Sequence, residues 1–73
     1  MPKLRILSGR DICTILAAHG FVQVRQRGSH IVMQCRDESG TRTVPVPDHG
    51  EIRIGTLLSI IRQSGLARGV FEV

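Results

Sequence analysis

The sequence has no tryptophan and no tyrosine, and Phe21 and Phe71 are its two phenylalanines. Proteins that read single-stranded bases on a flat stacking platform need more rings than this, so that mode of binding fits poorly. Long apolar runs are also missing. None approaches the roughly 20 residues that span a bilayer, and no targeting leader is evident, which makes the cytoplasm the expected compartment. Two cysteines, Cys13 and Cys35, are too few for a disulfide framework. Each falls at an apolar position of a predicted element and is read as a reduced core residue. Together with His19, His30 and His49 they match no zinc-ligand spacing, so no metal or other cofactor is expected. A Ser-His-Asp arrangement, a phosphate-binding P-loop, internal repeats and low-complexity segments are absent too.

What is present is small and basic. The 73 residues make one expected domain over 1–73, a size that buries only about 60% of the unfolded chain's surface. The core is therefore thin, and a deep enclosed cavity is not expected. The formal charge of +4 is uneven: residues 1–36 carry +5 and residues 37–73 carry −1, so the basic excess belongs to the first half. Nine of the ten basic residues are arginine, whose planar fork suits bidentate contact with phosphate oxygens. A charge of this size is also ordinary for a soluble domain and by itself names no partner.

After a short basic lead-in, Ser8 reads as a helix N-cap, with Asp11 completing a capping box. Ile12, Ile15 and Leu16 follow at helical spacing, and Gly20 ends the helix. Two β-prone runs come next, Phe21 to Val24 and Ile31 to Cys35, joined by Arg25-Gln26-Arg27-Gly28-Ser29-His30. This is a hairpin pattern. With Arg27-Gly28 or a loop from Gln26 to Ser29 at the tip, Arg25 faces His30, Val24 faces Ile31 and Val22 faces Met33. Val22, Val24, Ile31, Met33 and Cys35 then share an apolar face. Gln23, Arg25, His30, Gln34 and Arg36 share the other, with Val32 as the one apolar exception.

Asp37-Glu38-Ser39-Gly40 reads as a second turn, and Thr41 to Pro47 as a returning strand, placed at an edge by Pro45. Asp48 and Glu51 offer another capping box. Ile54, Leu57, Leu58 and Ile61 give the stripe of a second helix ending at Gly65. The remaining tail has room for one helical turn, with Phe71 available to pack. The expected class is α+β: helix, three-stranded antiparallel sheet, helix, with both helices on one sheet face. This is the plan of a double-stranded-RNA-binding domain (dsRBD).

Five segments in order carry a family resemblance: Gly20-Phe21, Arg25 to His30, Thr43-Val44-Pro45-Val46-Pro47, Gly55-Thr56-Leu57 and Ile61-Arg62-Gln63-Ser64-Gly65. Together, over residues 8–66, they resemble the HicA toxin family. The resemblance implies a small toxin with a dsRBD-like fold that cleaves messenger RNA (an mRNA interferase) and is held inactive by a HicB-type antitoxin. It also implies a catalytic histidine in the Gly-Ser-His position, which is His30 here. The chain departs from the family pattern near its end: Ser64 stands where alanine is common, and Ala67-Arg68-Gly69 replaces a more polar, often acidic stretch.

The residues support that chemistry on their own terms. Cutting RNA without a metal needs a base for the 2′-hydroxyl, an acid for the leaving 5′-oxygen, and donors around the phosphate. Histidine as a residue type suits the proton transfers, with an unperturbed pKa of about 6.5. Arg25, Arg27, Gly28 and Ser29 are the expected RNA- and phosphate-binding residues. His49 reads as a helix-start residue, and Thr56 as a cap or packing residue. A second functional class stays open, a non-catalytic module of the same fold that holds double-stranded RNA. Such modules usually span about 16 base pairs, and the short hairpin and weakly basic second helix argue against one here.

Overall fold

The computed structural model describes residues 3–72. Helix α1 (Gly9–Ala18) is followed by strands β1 (Val22–Arg27), β2 (His30–Asp37) and β3 (Gly40–Pro47). Helix α2 (Ile54–Ser64) and a 3-10 turn (Arg68–Phe71) complete the chain. The strands form one antiparallel sheet in the order β1-β2-β3. The fold is the α+β arrangement expected from the sequence. Inward-facing Ile31, Met33, Val44 and Val46 meet Ile12 and Leu16 of α1 and Leu57 and Ile60 of α2 in one core.

Helix α1 starts as its sequence requires. The Ser8 hydroxyl accepts from the Asp11 backbone N–H at 3.0 Å, and the Asp11 carboxylate accepts from the Ser8 N–H at 3.0 Å. Gly9, the first helical residue, has a separate role. A Cβ at this position would lie 1.9 Å from the Pro47 carbonyl oxygen, so only glycine lets α1 sit against the end of β3. Helix α2 departs from expectation. Its N-cap is Arg53 without a side-chain cap bond, and no Asp48–Glu51 capping box forms. Its buried positions are Leu57, Ile60 and Ser64, whereas Ile54 and Leu58 are 63% and 39% exposed. The helix is turned relative to the predicted stripe because Ile52, buried in the loop before it, fills part of the core space that Ile54 was expected to fill.

The hairpin register also differs. Gly28 has φ 57° and Ser29 has negative φ, the pattern of a type II′ turn with glycine first. Arg27 therefore pairs with His30, Gln26 with Ile31 and Arg25 with Val32. Arg25 does not face His30. The register then shifts between Gln23 and Arg25, leaving Val24 as the extra residue of a bulge. Beyond it Gln23 pairs with Met33 and Val22 with Gln34, so Gln23 takes the helix-side position and Val22 is carried to the open face. Val22 is 62% exposed and Val24 44%, while Val32 is buried between Arg25 and Pro45 on the face predicted to be polar.

The tail closes the molecule. Phe71 is fully buried, its carbonyl accepts from the Arg5 N–H at 2.9 Å, and Leu4 bridges to Glu72. Ser64 is buried without an orphaned group, because its hydroxyl donates to the Ile61 carbonyl at 2.8 Å and accepts from the Leu66 N–H at 3.1 Å.

Three outcomes follow from this packing. Gly9→Ala must push α1 off Pro47 and lowers stability by about 1–3 kcal/mol, as overpacking does; an unchanged thermal melt would show that the two backbones do not touch. Leu57→Ala costs about 2–5 kcal/mol, with Ile61→Ala at the low end and Leu58→Ala below about 1 kcal/mol. Equal losses at the three sites in denaturant titrations would contradict the orientation of α2. Asp11 and Asp37 are both held below the ordinary value of 3.8, Asp11 chiefly by the Ser8 backbone N–H and Asp37 chiefly by the Ser39 hydroxyl. Their contribution is present above that value and lost as pH falls through the lower folded values. The melting temperature, followed from about pH 6 to pH 2, is expected to fall over that acidic range, and less so in Asp11→Asn/Asp37→Asn.

Candidate active site

His30 is the first residue of β2 and is exposed. The sheet register sets its neighbours: Arg27 lies opposite it on β1 and Pro47 opposite it on β3. The next row on the same face is Arg25, Val32 and Pro45, and beyond it Gln34 donates to the Thr43 hydroxyl at 3.1 Å. Both arginines thus share the face of His30, although Arg27 rather than Arg25 is its direct partner. The predicted group Arg25, Arg27, Gly28, Ser29 and His30 is brought together at one end of the sheet.

The electrostatics of this end are one-sided. Ion pairs join Arg10 to Asp48 at 3.2 Å, Arg42 to Asp37 at 3.6 Å and Arg68 to Glu72 at 2.9 Å. Among the described residues neither Arg25 nor Arg27 has such a partner, so two guanidinium groups flank the histidine without a carboxylate to neutralise them. The exposed strand ends keep them hydrated, which makes them available to an incoming anion.

The turn that presents His30 is held from two sides. The Gln26 side-chain amide donates to the Gly28 carbonyl at 3.2 Å. The Asp48 N–H donates to the Ser29 carbonyl at 2.6 Å, tying the hairpin tip to the loop after β3. That loop is tied down in turn, because the Gly9 N–H donates to the His49 carbonyl at 2.9 Å and the Ile52 N–H donates to the Leu7 carbonyl at 2.8 Å. The sequence reading treated residues 48–51 only as a helix lead-in and missed this anchoring role. The signal available for it was Pro47-Asp48-His49-Gly50, a turn-rich stretch directly after a proline-containing edge strand.

Open cavities flank the sheet among the described residues. One, of about 300 Å³, adjoins His30 through Pro47 and is also lined by His49, Glu51, Ile52, Arg53 and Thr56. Another, of about 470 Å³, lies between α1 and β1 and includes Cys13, Phe21 and Gln23. Cys13 and Cys35 are free, half-buried thiols, and burial pushes the Cys13 thiol up, away from the reactive thiolate. His19 closes α1, its Nδ1–H donating to the Ile15 carbonyl at 2.9 Å. Among the described residues no three His, Cys, Asp or Glu side chains converge as metal ligands would. No helix among them is long and apolar enough to cross a membrane.

No curated relative matches the chain by sequence. The family profile described as HicA toxin of bacterial toxin-antitoxin matches residues 9–66, which takes in α1, the whole sheet with His30, and α2. The chain therefore belongs to the HicA toxin family: it is a toxin of a bacterial toxin-antitoxin system, and its partner is an antitoxin.

Proposed function

We propose that this toxin is a metal-independent endoribonuclease that cuts messenger RNA, with His30 as its catalytic residue and a HicB-type antitoxin as its inhibitor. The observation that carries the reading is the row Arg27-His30-Pro47, an exposed histidine beside a guanidinium that has no carboxylate partner among the described residues.

In the reaction, the 2′-hydroxyl of one nucleotide loses its proton and attacks the adjacent phosphorus, and the P–O bond to the 5′-oxygen breaks as that oxygen gains a proton. His30 serves one of these two proton transfers. Negative charge grows on the non-bridging oxygens as the phosphorus becomes five-coordinate. Arg27, with Arg25 one row away, meets that charge. The Ser29 hydroxyl and the backbone N–H groups of the Gly28-Ser29 turn are further donors beside it. Fixed donors cost little reorganisation during the reaction, and the Asp48–Ser29 bond keeps this turn in place. An acidic antitoxin surface laid over Arg25 and Arg27 would satisfy both arginines and exclude RNA in the same contact.

The test is cleavage of a long single-stranded RNA in excess EDTA. Wild-type protein is expected to cut, His30→Ala to lose at least about 10²-fold in rate while still binding RNA, and Arg27→Ala to lose about 10²-fold. Arg25→Ala is expected to lose less, because it lies one row further from His30. Cleavage by His30→Ala at the wild-type rate would remove the histidine from the mechanism. RNA bound but not cut by either protein would instead establish a binding module.

A further inference from the structure

We propose that the cavity beside His30 is a nucleotide subsite: it takes one unstacked RNA nucleotide next to the scissile phosphate, and Glu51 selects the base. This rests on the ribonuclease reading and extends it from the hairpin to the loop after β3.

Position argues for it first. Pro47 is both the cross-strand neighbour of His30 and a wall of the cavity, so a chain whose phosphate lies at His30 has this space within reach of its next nucleotide. The walls are preformed. Loop 48–52 is pinned by the Asp48–Ser29, Gly9–His49 and Ile52–Leu7 backbone bonds, and α2 begins directly after it. The larger cavity between α1 and β1 includes Ile31 and Met33 of the helix-side face and no residue of the Arg27-His30-Pro47 row, whereas the smaller one is walled by Pro47 of that row.

Size and lining fit a single nucleotide. About 300 Å³ is at the lower end of small-ligand sites, which run from roughly 300 to 1,000 Å³. Pro47 and Ile52 offer apolar surface to a base or ribose, and the His49 ring is a stacking partner in a protein without tryptophan or tyrosine. Arg53 suits the next phosphate, and the Thr56 hydroxyl can both donate to and accept from a ribose hydroxyl. A walled pocket answers the shortage of aromatic rings: a base that cannot be held on a flat platform is held between side chains.

Glu51 adds discrimination. An ionised carboxylate only accepts hydrogen bonds. Cytosine, adenine and guanine each bring an amino group on the Watson–Crick edge, whereas uracil brings carbonyl oxygens on both sides of its one N–H. The subsite therefore disfavours uracil. Glutamine at this position supplies donors as well as an acceptor and removes the bias.

Cut sites are mapped on randomised RNA, and kinetics are measured on oligonucleotide pairs that differ by cytosine or uracil beside the cut. Wild-type protein is expected to disfavour uracil by about tenfold, and Glu51→Gln to narrow this to within about twofold. Arg53→Ala is expected to raise KM about tenfold with little change in kcat. An unchanged base profile in Glu51→Gln together with an unchanged KM in Arg53→Ala would overturn the subsite. Binding of a short RNA to His30→Ala, followed by backbone amide shifts, separates this inference from the ribonuclease reading. If wild-type protein does not cut but shifts centre on residues 49–56, the nuclease reading fails and the cavity is kept only as a nucleotide-binding site. If shifts stay within β1 and β2, or no RNA binds, the subsite is wrong.

Discussion

The close approach of Gly9 to the Pro47 carbonyl is the constraint on which the rest of the site depends. With room there for no Cβ, α1 begins directly on the end of β3. That contact places the Gly9 N–H on the His49 carbonyl, brings Arg10 to Asp48, and leaves the Asp48 N–H aimed at the Ser29 carbonyl. A chain of backbone bonds thus runs from the start of α1 through the loop after β3 to the hairpin tip. Backbone bonds carry less conformational freedom than side-chain contacts, so the tip is held without a large core behind it. In a chain of 73 residues this matters, since burial alone leaves little stability to spare.

The bulge at Val24 solves a second geometric problem. At the tip the type II′ turn sets a register in which Arg25 and Arg27 share the face of His30. Farther along β1 the extra residue changes which side chains point where, so Gln23 lies under α1 and Val22 is exposed. Apolar burial on β1 is given up, and the arginines stay on the open face. The compensation comes from Phe21, buried just before the strand, and from Val32, which is buried on the open face under its cross-strand neighbours.

Much of this was legible in the sequence because local signals and global packing agree. Ser8 with Asp11, Gly20, the Asp37–Gly40 turn, Pro45 at an edge and Gly65 each state a boundary in chemistry that tertiary contacts do not override. The membership of the candidate site was legible too, since a register error of two residues preserves side-chain parity. Arg25 stays on the face of His30 even though it is not its partner. The bulge was not legible, because Val22 and Val24 alternate as a regular strand would and nothing local marks the extra residue. The orientation of α2 was hidden for a different reason: Ile52, Ile54, Leu57, Leu58, Ile60 and Ile61 supply more apolar positions than one helix face can bury. The contest between Ile52 and Ile54 is settled only when the loop docks on Leu7. The role of Gly9 depends on Pro47, nearly forty positions away, and no window of sequence contains both.

The placement of the site at a strand end follows from what so small a domain can offer. A thin core cannot enclose a substrate, so charge and hydrogen-bond donors have to be gathered on the surface, where water weakens each interaction. Two features of this structure work against that loss. Arg25 and Arg27 have no carboxylate partner among the described residues, so no internal ion pair must be broken before a phosphate is met. The turn beside His30 is fixed before anything binds, so donors need not be ordered at the moment of reaction. On the proposed chemistry, preorganisation therefore replaces enclosure. The same exposure would leave the site open to inhibition by a single complementary surface, which suits a toxin whose partner is an antitoxin.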